Sequence, residues 1–204
     1  MLPKFIYLHI LKTAGTSFKL NFLNSVYKGR YVYDSFFKIR LPGVKREWIS
    51  LIDLDSPDRP EITKNVDVIF GHFKYSKYAD LNWPYVTFLR EPSQRLISSY
   101  SYLRGLYKGD IGIRDFAEIY PNHQTYVTGG DLSKFKFIGV TEKFDQSLHK
   151  FCEIFDIPWE IQKTKHQRVS NKIQKVSSSD MDYIINLNQK DYKLYNQALE
   201  LLGV

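Results

Sequence analysis

Cysteine is nearly missing from this chain: Cys152 is the only one among 204 residues. A single thiol cannot close an intrachain disulfide, which excludes disulfide-stapled secreted scaffolds and fits a reducing compartment. Cys152 lies in the periodic run LHKFCEIF and is expected to be a buried helix residue. Long apolar runs are missing as well. No stretch of about 18 apolar residues occurs, so no membrane span is expected. The first β-rich run starts within a few residues of Met1, with no charged segment and apolar core of a leader before it, and the chain reads as soluble and cytoplasmic. Repeats and low-complexity tracts do not stand out. Metal-ligand patterns are lacking too. None of the five histidines pairs with another at ligand spacing on one helix, no carboxylates cluster, and a lone cysteine argues against a structural zinc site. No metal is expected.

What the chain has in quantity is aromatic side chains, fifteen Tyr and fourteen Phe. They supply ample apolar surface for one domain over 1–204 with a substantial core. Twenty-nine Lys plus Arg against 22 Asp plus Glu give a net charge of +7. A basic balance suits an anionic partner, whether nucleotide, charged glycan, nucleic acid or membrane surface, although solubility alone also accounts for it.

Along the chain, strand-like and helix-like segments alternate. Residues 5–11 read as a strand and 16–28 as a helix; 29–65 are mixed, with a short helix at 45–53 and a Pro-bracketed turn at 56–60. VDVIFG (66–71) and YVTFLR (85–90) read as buried strands, and Pro92 opens a helix running to Tyr107. RDFAEIY and HQTYVTG suggest two short helices, FKFIGV (135–140) a fourth strand, and 142–156 and 177–202 two helices around a basic loop at 158–176. Continuous apolar strands separated by helices argue for an α/β fold whose central parallel sheet is covered by helices on both faces.

Three segments carry chemistry. In FIYLHILKTAGTS (5–17) a strand runs into a tight turn and a helix start, which aims backbone N–H groups and the positive helix end at one spot. Lys12 adds a charge there, and Thr13, Thr16 and Ser17 add hydroxyls. Helix capping alone would explain the Thr and Ser. A lysine beside a helix N-terminus opposes the dipole and is better explained by a bound anion. The loop is not a Walker A loop, whose lysine follows the glycines, nor G-x-G-x-x-G. In TFLREPSQRLISSYSYL (87–103), Arg90 stands where a strand leaves the sheet, and Arg95 and Ser98 share a helix face. Arg90 and Ser98 could grip one phosphate, or Arg90 could simply pair with Glu91. In IFGHFKYSKY (69–78), His72 follows a buried strand at the same sheet edge as Lys12 and Arg90, as a base or as a structural residue. His9 reads as packing within the first strand.

These three motifs, in this order and spacing, resemble the sulfotransferase superfamily, closest to the branch of heparan sulfate 2-O-sulfotransferases and bacterial carbohydrate sulfotransferases. HILKTAGTS resembles the loop for the 5′-phosphosulfate of 3′-phosphoadenosine 5′-phosphosulfate (PAPS), FLREPSQRLISSY the 3′-phosphate motif, and FGHF the Gly-His element with the catalytic base. HQTYVTGG (123–130) and FIGVTEKFDQSL (137–148) resemble a Gln-Thr helix start and a Val-Thr-Glu segment of that branch. Leu11, Ala14 and Glu91 depart from the usual proline, glycine or serine, and aspartate. The methyl of Ala14 is expected to be tolerated only at negative φ.

The resemblance implies a P-loop-like nucleotide-binding fold and transfer of a sulfuryl group from PAPS to a hydroxyl, of a carbohydrate given the branch. Lys12 and His72 would be catalytic, as cation on the departing phosphate and as general base. Lys12, Thr13, Ala14, Gly15, Thr16, Ser17, Arg90 and Ser98 would bind PAPS, and Arg168 and Ser170 in the basic loop would close over it. The partners expected are PAPS and a hydroxyl-bearing acceptor, a glycan, without nucleic acid. Two rival readings remain on sequence grounds: a P-loop-type nucleotide kinase, which needs a magnesium carboxylate, and a non-catalytic polyanion-binding domain.

Overall fold

Alternation within the opening strand sets out the two sides of the molecule. The computed structural model describes residues 2–34, 37–39, 49–52, 54–107, 111–158 and 176–203. β1 (Phe5–Leu8) is buried along its whole length, and successive side chains point to opposite faces. Phe5 and Tyr7 join Phe18, Phe22, Leu148 and Phe151 in one core. Ile6 and Leu8 join Ile69, Val127, Leu194 and Ala198 in the other. A strand apolar on both faces belongs in the middle of a helix-covered parallel sheet.

That is its place. β2 (Tyr31–Asp34), β5 (Val68–Gly71), β1, β6 (Tyr85–Leu89) and β7 (Phe135–Val140) lie side by side in that order, and every neighbouring pair is parallel. β3 (Phe37–Ile39) and β4 (Ile49–Ile52) form a separate antiparallel pair. The helices are α1 (Gly15–Phe18), which continues as a π-helical run Lys19–Tyr27, then α2 (Pro92–Tyr107), α3 (Ile113–Ile119), α4 (His123–Thr128), α5 (Phe144–Ile154), α6 (Ser178–Leu187) and α7 (Gln189–Leu202). One core lies under α5, where Cys152 is buried and burial pushes its thiol up to about 12. α7 covers the opposite face. A third cluster joins α2, α3 and α6 through Leu96, Phe116 and Ile184.

Several expected boundaries move. β1 stops at Leu8, in register with Gly71, where β5 ends, and with Thr87, and the chain then turns, with Thr13 Oγ1 donating to the Ile10 carbonyl at 2.8 Å. β2 was read as part of a mixed region. The short helix expected at 45–53 is overturned at Ile49–Ile52, which is strand β4; 45–48 and 53 lie outside the described residues. The helix expected over 177–202 divides at Asn188, whose buried side chain donates to the Ile184 carbonyl and accepts from the Asn122 N–H.

The chain places β2 and β5 on one side of β1, then crosses to β6 and β7 on the other. A crevice opens outside the carboxyl ends of the strands at such a reversal. The segments after β1, β5 and β6 meet there, and they contain Lys12, His72 and Arg90.

Among the described residues no helix is long and apolar enough to cross a membrane.

Candidate functional site

The turn after β1 is held in an uncommon shape. Lys12 and Ala14 both have positive φ, 69° and 61°. Each such non-glycine residue costs roughly 1–2 kcal/mol. The expectation that Ala14 needs a negative φ is therefore wrong: its methyl packs against the aromatic core below, which helps hold the left-handed conformation. Ala14 caps α1 without a side-chain bond, and the Phe18 N–H is the one that returns to the Ala14 carbonyl, at 2.9 Å. The N–H groups of Gly15, Thr16 and Ser17 precede that first helical bond, so they are the donors a helix start leaves over. The Thr13 hydroxyl, expected as a further donor to a ligand, is instead committed to the Ile10 carbonyl. Thr16 is exposed, and Ser17 is buried. Lys12 Nζ lies 4.7 Å from the centre of the Tyr102 ring, turned toward α2.

His72 is fixed from two directions. Its N–H donates to the Asp34 carbonyl at 2.9 Å, and its ring Nδ1 lies 2.7 Å from the His9 carbonyl. A carbonyl only accepts, so Nδ1 carries the proton and Nε2 is left as the acceptor nitrogen. Gly71 makes this possible: a Cβ there would stand 1.8 Å from the Asp34 carbonyl oxygen. Asp34 is held in turn by the Tyr78 hydroxyl and by Lys77 Nζ, each at 2.8 Å. Burial pushes the His72 pKa down to about 4, against a raising contribution from its bond to the His9 carbonyl.

Sequence reading took His9 as a packing residue. It does pack, but inside the site. Its ring stacks on His72 with centroids 4.1 Å apart and covers Gly15, where a Cβ would come within 2.1 Å of it. Burial is the main cause that holds the His9 pKa well below the usual range, with His72, Lys12 and Lys19 adding repulsion.

Arg90 reaches back from β6, its Nη1 donating to the Lys12 carbonyl at 3.2 Å. Its backbone is clamped by the fully buried Gln124, which accepts from the Arg90 N–H at 2.9 Å and donates to the Arg90 carbonyl at 2.8 Å. Glu91 is not its partner. It caps α2 by accepting from Ser93 and from the Gln94 N–H at 2.6 Å, while Arg90 Nε stands 3.9 Å from Glu142. A glutamate in place of the usual aspartate thus still serves as a helix cap. The Gln-Thr and Val-Thr-Glu segments read from sequence both come to this edge. Asp191 of α7 accepts from the Gln124 and Thr125 N–H groups, and Thr141 Oγ1 donates to the Leu89 carbonyl.

On α2 the face turned to the site is set by Arg95, Ser99 and Leu103, four residues apart, rather than by Arg95 with Ser98. They line a pocket of about 50 Å³ with His9, His72, Tyr120 and His123. Ser98 is buried in the same helix. Arg168 and Ser170 lie outside the described residues.

Lys12, His72 and Arg90 thus come together around a loop of free N–H groups. The chemistry this supports is the holding of a polyanion beside a neutral imidazole.

No family model matches the chain, and no curated protein matches it. Among solved structures it is similar to a sulfotransferase from Alicyclobacillus acidocaldarius, with a TM-score of 0.57 and 12% identity over 100% of this chain and 97% of that one. The likeness is one of fold: this chain has the α/β architecture of that sulfotransferase, a parallel sheet flanked by helices.

Proposed function

We propose that this protein transfers a sulfuryl group from PAPS to an acceptor hydroxyl. One observation carries the reading. A histidine whose Nδ1 proton is tied to the His9 carbonyl, leaving Nε2 to accept, stands beside a helix-start loop with Lys12 and within one sheet edge of Arg90. The donor set suits a nucleotide with phosphates at both ends. N–H groups of Gly15, Thr16 and Ser17 with Lys12 face one end, and the half-buried Arg90, whose cation has a carbonyl and a carboxylate 3.9 Å away as neighbours, faces the other.

When bound, PAPS supplies the activated sulfuryl group. His72 Nε2 takes the acceptor's O–H proton as the new S–O bond forms. The bond from sulfur to the 5′-phosphate oxygen breaks, and 3′-phosphoadenosine 5′-phosphate leaves with the electron pair. Lys12 and the loop N–H groups stabilise the charge growing on that oxygen, the kind of preorganised electrostatics that contributes most to such reactions. A base with a pKa of about 4 is weak at neutral pH. A polyanion in the loop favours the imidazolium and raises it toward the working range. The motif resemblance favours a carbohydrate as the acceptor.

Calorimetry with 3′-phosphoadenosine 5′-phosphate tests the reading at its base. Micromolar binding is expected, and Arg90→Ala should weaken it far more than it weakens adenosine 5′-phosphosulfate, which lacks the 3′ group. No heat with wild-type protein, or equal losses for the two nucleotides, would refute the assignment. Lys12→Ala should lower turnover by about 10²–10³ with the fold intact.

A further inference from the structure

The pocket under α2 holds a cation that the transfer chemistry above does not use. Arg95 is 2% exposed, and its Nε and Nη2 have no hydrogen-bond partner. A buried guanidinium with two nitrogens unpaired is costly to desolvate. Asp191, the carboxylate that acts on it electrostatically, has its oxygens engaged by the N–H groups of Gln124 and Thr125 and the Thr125 hydroxyl. Two further buried polar atoms bordering the same pocket, Ser99 Oγ and Tyr120 OH, also lack partners. Three unsatisfied donor groups around one small space describe a receptor for an acceptor-only group, and Arg95's planar fork matches a carboxylate.

The remaining walls decide what carries that carboxylate. Ile10, Leu11, Leu54, Leu103, Phe116 and Val127 are all apolar. An apolar skeleton buries against these six side chains, whereas those hydroxyls of a sugar ring that lay against them, away from His9, His72 and His123, would lack partners. His72 borders the same space.

We infer that the acceptor is a hydroxy acid with an apolar skeleton, its carboxylate seated on Arg95 and Ser99 and its hydroxyl presented to His72. This rests on the transfer reading and departs from the carbohydrate that the sequence resemblance implies.

The test measures binding directly, by calorimetry on the full chain with and without 3′-phosphoadenosine 5′-phosphate. The probes are 3-hydroxybutyrate and 4-hydroxyphenylacetate, each against its methyl ester, with glucuronate and its methyl ester as the sugar counterpart. At least one of the two apolar acids should bind about 10–100-fold more tightly than its ester, the span of a charge-assisted hydrogen-bonded pair. Arg95→Met should abolish that difference. Because it removes a buried charge whose donors are unpaired, it should leave Tm unchanged or raise it. Acids and esters binding alike, a preference that survives Arg95→Met, or a Tm lowered by that variant would each overturn the assignment. Glucuronate binding more tightly than both apolar acids would overturn the skeleton and make the ligand a sugar acid. An acid preference in a protein that ignores the nucleotide would sink the transfer reading and leave the carboxylate site standing.

Discussion

The two ends of one parallel sheet differ in how their buried polar groups are held. At the amino end, several polar groups bordering the aromatic core are paired. Asp67, just before β5, accepts from Arg30 Nε at 2.5 Å; the Tyr85 hydroxyl at the start of β6 donates to the Tyr75 carbonyl at 2.8 Å; Tyr27 donates to the Pro3 carbonyl at 2.9 Å. At the carboxyl end, Lys12 and Ala14 hold left-handed backbone, and His9 Nδ1 and two nitrogens of Arg95 are buried without partners. The strands are the same strands, so their propensities cannot explain the difference. Strain and unpaired polar groups persist only where the surroundings hold them, and they gather where a ligand completes them. One end of the sheet contributes stability; the other holds donors in readiness.

The sharpest way to break this contrast is His72→Gln. Transfer should fall by about 10²–10⁴, the usual contribution of a positioned base, while affinity for 3′-phosphoadenosine 5′-phosphate stays within about threefold. Affinity falling as far as rate would make His72 structural. The same variant has a signature in stability against pH. The folded pKa of about 4 lies below the ordinary 6.5, so the unfolded chain binds the extra proton between them. Stability from the neutral buried ring is complete above pH 6.5 and is lost as pH falls toward 4. Within that window His72→Gln should flatten the slope of unfolding free energy by up to about 1.4 kcal/mol per pH unit, one proton's worth. His9 and His123, whose pKa values are lowered mainly by burial, keep the remaining slope.

At the amino end the expected response is the reverse. Asp67→Asn weakens the bond to Arg30 and leaves the ligand edge untouched. It should cost about 1–3 kcal/mol, which lowers Tm by roughly 2–12 °C in a chain of this size, with nucleotide affinity unchanged. A change in affinity comparable to the change in stability would mean that the two ends are coupled through the sheet.

What could be read from sequence divides along the same line. β1, β5, β6 and β7 were legible because each is a short apolar run, buried along nearly its whole length. β2 was not: YVYD is half-exposed on the sheet's edge, so it carries little of the signal a central strand carries. β4 was mistaken for helix because its partner β3 is supplied by tertiary structure. Lys12, His72 and Arg90 were legible as neighbours because each follows a strand of a parallel sheet, and that topology brings them to one edge. The role of Arg95 was hidden because residues three and four apart on a helix are both neighbours, and only the packing of α2 selects Ser99 over Ser98. Likewise no pattern could reveal that the ring of His9 would lie over Gly15.

Ala14 offers the finest test of whether the carboxyl end is strained. Two small terms compete there. The left-handed backbone costs an alanine roughly 1–2 kcal/mol, which glycine avoids. Against that, the methyl packs on the core below, worth about 0.8 kcal/mol for one buried carbon, and glycine adds freedom to the unfolded chain. The terms nearly cancel, so Ala14→Gly should change stability by less than about 1 kcal/mol, and a strained turn requires the Tm, within roughly 3 °C of wild type, to shift upward. The same change loosens the turn that aims the Gly15 to Ser17 N–H groups, so nucleotide affinity should fall by about twofold even as Tm rises, because less of the loop's order is fixed before binding. Opposite signs in the two measurements are what a strained, preorganised cradle requires. A lower Tm would show that the methyl's packing outweighs the backbone cost, and the positive φ at 14 would then be an ordinary packing compromise.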